Sequence, residues 1–200
     1  AFRVLEETGN GGREILDDEG KNLILRRLAG KKEDSLKVLK GNIKKPGYIS
    51  EVKSVISELT QYNISPDGME EMIAEADESS YLSWKLKDIQ VMYQAFEEYL
   101  ADKYITKEEI LDILCSVMGK SRMLKDSVIA LDGFTGFTPV QNKVLGEMLH
   151  HCKKIMITVT MDKREDPYVM KDKYQLFALS KQMVTSLVKI AREEKVLIEE

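Results

Sequence analysis

The sequence predicts a predominantly helical α/β chain, with an all-α region over 1–125 joined to a strand, helix, strand segment over 126–200. Three observations carry this reading. Apolar residues recur at helical spacing through the first region; at Lys125 the pattern changes to the unbroken apolar run Ser127-Val128-Ile129-Ala130-Leu131; and a second β-rich run, Ile155-Met156-Ile157-Thr158-Val159-Thr160-Met161, follows a helix-type stretch. Strand, crossover helix and strand make a βαβ unit with parallel strands. A continuous apolar run of strand length is also the profile of a strand buried on both faces.

Each element has its own signal. Ala1-Phe2-Arg3-Val4-Leu5-Glu6-Glu7 reads as a helix already under way, and Gly9-Asn10-Gly11-Gly12 breaks it. Asp17-Asp18 then precede Leu23, Ile24, Leu25 and Leu28 on a Lys/Arg-bordered helix, and the Lys-rich stretch 31–45 is expected to be a solvated helix and loop. After Pro46-Gly47, with Ser50 expected as the cap, Val52, Val55, Ile56 and Leu59 fall at i, i+3, i+4, i+7. The longest stripe, Leu82, Leu86, Ile89, Tyr93, Phe96 and Leu100, is one continuous seam that must pack on something. Thr106-Lys107-Glu108-Glu109 is a capping box opening a helix with Ile110, Ile113, Leu114 and Val117, for which Gly119 is the expected end. Thr138-Pro139-Val140-Gln141 supplies an N-cap, a first-turn Pro and a Gln at the third position ahead of Val144, Leu145, Met148 and Leu149. Phe177, Val184, Leu187, Val188 and Ala191 mark a last long helix.

Composition narrows the class. The 200 residues are 43% hydrophobic and 32% charged with 4 Pro and 12 Gly, which excludes collagenous, disordered and disulfide-scaffold chains. Thirty Lys and Arg against 34 Asp and Glu give a net charge of -4, which argues against a histone-like protein and leaves a local basic patch open. Cys115 and Cys152 lie far apart and outside any CxxC pair, so a reduced, cytoplasmic setting is expected. There is no signal-type segment and no transmembrane span, so no membrane partner is expected. Neither end has a cap or polar tail, and both read as cuts in something longer.

Open α/β sheets place ligands at the carboxyl tips of their strands, and Asp132 occupies such a tip. In nucleotide hydrolases an Asp there helps hold Mg²⁺ beside a Glu that activates water; here Gly133 follows, so Asp132 is either a degenerate nucleotide and Mg²⁺ position or the start of an Asp-Gly turn. Gly119-Lys120-Ser121 imitates a P-loop tail, but Leu114 stands where the first Gly belongs, and the order of helix and strand is reversed. His150 and His151 are adjacent on a helix, about 100° apart, and cannot chelate one ion together. Glu70, Glu71, Glu75, Asp77 and Glu78 read as a solvated acidic helix face. Of two basic clusters, Arg26-Arg27-Lys31-Lys32 and Lys120-Arg122-Lys125, the second has Phe134 and Phe137 nearby in sequence. Lys120, Arg122, Lys125 and Phe134 are therefore candidate DNA contacts, against the alternative of a charged face plus two core phenylalanines.

The tract Val128-Ile129-Ala130-Leu131-Asp132-Gly133-Phe134-Thr135-Gly136-Phe137-Thr138-Pro139-Val140-Gln141 resembles the segment after the helical insertion in the B subunit of AddAB-type ATP-dependent helicase/deoxyribonucleases of Firmicutes. Ala1 to Glu7, Gly20-Lys21 with Leu23 to Leu28, and Tyr174-Gln175-Leu176-Phe177 are similar to that family too, so the resemblance covers nearly the whole chain. It implies a helical subdomain inserted into a RecA-like helicase domain, of which 126–200 is a part. It also implies a helicase module without motor activity, a partner A subunit, DNA as ligand and a role in double-strand-break repair and recombination. For the parent protein it implies ATP with Mg²⁺ and an iron-sulfur cluster; this segment carries neither the P-loop nor the cluster cysteines, so no cofactor and no catalysis are expected in it. The rival expectations are an ATPase using Asp132 and a helical interaction module presenting the Leu82 to Leu100 seam to a partner.

Overall fold

The computed structural model describes residues 1–11, 14–43, 45–101 and 104–199, so Gly12 of the expected break lies outside the described residues. In chain order the elements are α1 (Phe2–Glu7), β1 (Glu14–Leu16), α2 (Asp18–Lys32), α3 (Pro46–Gln61), α4 (Met69–Glu75), α5 (Tyr81–Leu100), β2 (Tyr104–Thr106), α6 (Glu109–Val117), α7 (Arg122–Lys125), β3 (Val128–Leu131), α8 (Pro139–His151), β4 (Lys154–Ile157) and α9 (Ala178–Glu193). The fold is thus predominantly helical α/β, with two parallel two-stranded sheets, β1 with β2 and β3 with β4.

Packing divides the chain into two compact units, 13–110 and 1–12 with 111–200. The expected boundary at Lys125 marks the change from helical to strand patterning, whereas the packing boundary falls inside α6 and returns α1 to the C-terminal unit. The first 125 residues are also not all-α. Glu14, Ile15 and Leu16 pair in parallel with Tyr104, Ile105 and Thr106, so the helices α2 to α5 leave from one strand and return to its neighbour. Runs of three residues are too short to show a period of two, which is why the pattern hides them.

In the 13–110 unit, Asp17 caps α2 by accepting from the Gly20 amide at 2.7 Å. Leu25, Leu28 and Ala29 of α2 pack with Val52, Ile56 and Leu59 of α3 and with the α5 stripe. α3 starts at Pro46 itself, so Ser50 lies inside the helix and does not cap it. The seam on α5 is used within the unit: Ile89, Tyr93, Phe96 and Leu100 are buried, and only Leu82, 57% exposed, escapes at the first turn. Burial removes the α5 seam as a docking surface for a partner. The Lys-rich stretch 31–45 is not a solvated helix. It forms a single 3₁₀ turn, Glu33–Ser35, and then buries Leu36, Leu39 and Ile43. Its backbone is held by the buried carboxylate of Asp88, which accepts from the amides of Lys37 (2.9 Å), Val38 (2.7 Å) and Leu39 (2.8 Å).

The Lys21 ammonium, 2% exposed, donates to Glu108 Oε2 at 2.6 Å. Lys21 follows β1 by one turn of α2 and Glu108 follows β2, so the ion pair and the strand pair close the two ends of the unit together. Beside them the expected capping box is present, with the Thr106 amide donating to Glu109 Oε2 and the Glu109 amide donating to Thr106 Oγ1.

In the other unit, the box at α8 is formed as the sequence predicts, Thr138 with Gln141 and Pro139 in the first turn. α6 gives way at Val117 to a 3₁₀ turn over Met118–Lys120, so the helical path runs on through Gly119. Gly119 sits at a close approach, since a Cβ there would lie 3.1 Å from the His151 ring, which would have to shift by a few tenths of an ångström. β3 and β4 run parallel with Val128 opposite Lys154 and Leu131 opposite Ile157. β4 ends four residues short of the expected Met161. The expectation that β3 is buried on both faces fails: its residues alternate between exposed and half-buried, because the two-stranded sheet, whose β4 packs on α8, leaves one face to solvent.

Two outcomes test the closure of the helical unit. Asp88→Ala leaves three backbone donors without their acceptor and should cost about 3 kcal/mol in urea unfolding, a single unsatisfied buried donor costing roughly 1–3. For the ion pair, burial pushes the Glu108 carboxyl up, but the Lys21 ammonium and the Ser57 hydroxyl outweigh it and hold the carboxyl below its usual value near 4.5. A depressed folded pKa means stability that is present above the unfolded value and lost as pH falls through the folded one. Lys21→Met removes the cation, and its cost, about 3–5 kcal/mol at neutral pH, should shrink on acidification, beginning above the ordinary carboxylate value of 4.5 because burial without the cation raises Glu108. The double variant with Glu108→Leu should recover most of the loss at pH 7.

Candidate functional site

Three groups of residues are candidates for chemistry, and a cluster of shifted ionisable groups lies with none of them. Around Lys21 and Glu108 a cavity is lined by Ser57, Thr60, Tyr93 and Glu97. Burial pushes the Tyr93 phenol up to about 12, against a hydrogen bond with the Thr60 hydroxyl at 3.0 Å, and burial likewise raises Glu97. Shifted groups in a cleft are the usual mark of an active site. Here the cavity is about 20 Å³, room for one water and no substrate, so the shifts report a structural network.

The strand tips are built differently. β3 delivers Asp132, exposed, at its carboxyl end, and β4 delivers Thr158 beside it, where the Thr158 amide continues the ladder to the Leu131 carbonyl at 3.0 Å. The Thr158 hydroxyl donates to Asp132 Oδ1. Sequence reasoning misses Thr158 because the β-rich run reads through to Met161, whereas β4 ends at Ile157 and leaves Thr158 at its tip. Gly133 has φ +79°, a left-handed turn that favours glycine, so the chain leaves the tip by a turn in place of the second carboxylate that a metal-assisted hydrolase needs. Among the described residues no three His, Cys, Asp or Glu side chains converge to hold a metal ion. At the tip a single carboxylate, Asp132, is engaged by the Thr158 hydroxyl, with Gly133 next to it in place of a second acid. Two cysteines do not fit an iron-sulfur cluster, which takes four.

The candidate DNA contacts fall at two places. Lys120, Arg122 and Lys125 are all exposed and lie ahead of β3, around α7. Ser121 caps α7 and donates to Glu7 Oε2 at 2.5 Å, while Glu7 Oε1 accepts from the Arg122 amide at 2.9 Å. Those bonds, the Ser121 hydroxyl first, hold the Glu7 carboxyl below its usual value, so an anion sits within the basic cluster. Nothing in the spacing points to Glu7, which is more than a hundred residues away in sequence. Phe134 lies past the other end of β3, 40% exposed, with its ring stacked on Phe137 at 5.1 Å. Four strand residues at roughly 3.3 Å each put about 13 Å between the ends of β3, so the cations and Phe134 do not form one contiguous patch along the strand.

The remaining candidates are absorbed locally. His150 Nε2 meets Glu194 Oε2 at 2.5 Å and His151 Nε2 meets Glu147 Oε2 at 3.5 Å, so the adjacent rings take separate partners. Glu70, Glu71 and Glu75 are exposed on α4, but Asp77 and Glu78 lie in the turn beyond it, where Asp77 accepts from the Ser79 amide and hydroxyl. Gly119-Lys120-Ser121 is the turn into α7.

Fold and tip together define a helical α/β protein in which a parallel strand ends in a carboxylate, Asp132, with a glycine turn where a hydrolase would place its second acid. The particular family follows from comparison: the family described as "ADDB, N-terminal" matches residues 1–200, and the chain belongs to it. Its relatives include proteins named as the B subunit of an ATP-dependent helicase/deoxyribonuclease. That of Lachnoclostridium phytofermentans is 43% identical over 99% of this chain, that of Clostridium kluyveri 30% over 98%, and that of Listeria monocytogenes 29% over 100%. The chain spans 17% of the length of each of these relatives. No helix among the described residues is long and apolar enough to cross a membrane.

If Thr158 only satisfies the Asp132 carboxylate at the sheet tip, Thr158→Val should lower stability by about 1 kcal/mol or less, the two groups being solvent-exposed. Thermal unfolding monitored by circular dichroism measures it.

Proposed function

We propose that this chain serves, within a helicase/deoxyribonuclease B subunit, as a non-catalytic, DNA-contacting and structural region in the processing of DNA double-strand breaks, working alongside a partner A subunit in the cytoplasm. The observation that carries the reading is the family match across residues 1–200. The strand tip supports the non-catalytic half: Asp132 is bonded to the Thr158 hydroxyl and followed by Gly133, so the turn supplies no acid beside it to activate water. A RecA-like ancestry for 111–200 accords with its parallel β3–α8–β4 order. The basic surface at Lys120, Arg122 and Lys125 supports the DNA-contacting half, since exposed cations neutralise phosphates whatever the sequence of the strand. ATP binding, nuclease action and the iron-sulfur cluster belong, on this reading, to other parts of the protein.

Weak, salt-sensitive binding of labelled duplex and single-stranded DNA is the expected outcome at low ionic strength. Replacing Lys120, Arg122 and Lys125 together by Glu should weaken it at least about ten-fold and flatten the dependence of log K on log salt by about 2. No binding at low salt overturns the DNA-contacting role. ATP turnover should be absent, and Mg²⁺-dependent hydrolysis abolished by Asp132→Ala overturns the non-catalytic one.

A further inference from the structure

Between β4 and α9 the chain runs for twenty residues, 158–177, without helix or strand. Loops of that length inside a compact unit are uncommon and, when ordered, are usually functional. This one is ordered from beneath. The Lys181 ammonium, 1% exposed, donates to Glu165 Oε2 at 2.6 Å, to the Val169 carbonyl at 2.9 Å and to Gln175 Oε1 at 3.4 Å, so one buried cation ties the loop at three points. Asp166 and Asp172 each accept from the amide two residues on, at 2.8 and 2.9 Å, which fixes two turns.

The loop carries four acids and four bases. Asp162 holds the Arg164 guanidinium at 2.7 Å and Glu165 holds Lys181, while Asp166 and Asp172 accept from backbone amides and stay exposed. Lys163, Lys171 and Lys173 are exposed beside them. Among them stand exposed apolar and aromatic side chains that a folded unit normally hides: Tyr168, Val169, Met170, Tyr174 at 82% and Leu176 at 89% exposed, with the Lys173 ammonium 4.9 Å from the Tyr174 ring centre. The loop leaves the carboxyl end of β4, the end at which open parallel sheets bind ligands.

Resting on the DNA-contacting reading above, we infer that the 158–177 loop is a single-strand DNA platform, on which Tyr174 stacks a base while Lys171 and Lys173 neutralise neighbouring phosphates. An exposed aromatic ring with Lys171 and Lys173 ahead of it in the loop suits a single strand, whose bases are unpaired and free to stack; a duplex offers only its phosphates to the same surface. The platform lies beyond the strand ends, whereas Lys120, Arg122 and Lys125 precede β3.

Fluorescence anisotropy of this chain with labelled oligothymidylate at low salt, with duplex of equal length as competitor, tests the assignment. Tyr174→Ala should weaken single-strand binding at least about five-fold and leave duplex binding unchanged, and Tyr174→Phe should restore it, since the ring and not the hydroxyl stacks. Lys171→Glu with Lys173→Glu should lower the salt slope by about 1.4. These side chains are exposed, and unchanged circular dichroism confirms folding of each variant. If the chain binds DNA and the loop variants bind as well as wild type, the platform is overturned and the DNA-contacting reading stands. If wild type binds no DNA, both fall. Variants that keep DNA affinity and lose assembly with the partner protein would make the loop a protein-docking surface and overturn the proposal.

Discussion

A buried ammonium and a carboxylate, Lys21 and Glu108, hold the helical unit shut. They lie 87 positions apart in sequence and 2.6 Å apart in space. Neither could be buried alone, because an unpaired charge in that environment costs several kcal/mol. Their meeting therefore requires that α2 and the turn before α6 lie side by side, which is also what the β1–β2 pair requires. Everything between is arranged around that closure: α2 and α3 pack on α5, the capping box at Thr106 and Glu109 orients α6 as the chain leaves, and Asp88 draws the 36–39 segment onto α5 by its backbone amides.

Wherever a local signal decided the structure, the sequence was readable. The α5 stripe and both capping boxes follow from side chains within a few positions of one another, and the parallel β3–β4 pair from two short β-rich runs joined by a helix. What escaped was decided by partners distant in sequence. Lys21 looks like one more cation on a charged helix until Glu108 arrives, and 31–45 looks solvated until Asp88 binds it. Glu7 is just an acid in an N-terminal helix until it reaches Ser121 and Arg122. Lengths misled in the same way: β1 and β2 are too short for a period, and β3 is apolar enough for a two-sided interior yet packs on one side only.

The candidate site shows the limit more sharply. Asp132 was legible as a strand tip, and the Asp-Gly-Phe tract pointed to the family that the whole chain matches. Proximity in sequence nevertheless grouped Lys125 with Phe134, and the strand between them sends them to opposite ends of the sheet. Surface charge was just as poorly served by counting. The 158–177 loop carries equal numbers of acids and bases, yet Glu165 is taken up by the buried Lys181, a partner outside the loop, which leaves Lys163, Lys171 and Lys173 exposed against Asp166 and Asp172.

The parallel sense of β1 and β2 also has a mechanical meaning. The chain arrives at the amino end of β1 and departs from the carboxyl end of β2, with Glu14 level with Tyr104 and Leu16 level with Thr106. Tension along the polypeptide pulls the two strands past each other lengthwise, so their rungs are loaded together; an antiparallel pair entered and left in this way would peel open one rung at a time. The three-rung clasp is thus a shear joint, and the helices from α2 to α5 hang from it outside the line of force. Load along the chain passes through this joint while the helical unit stays out of its line.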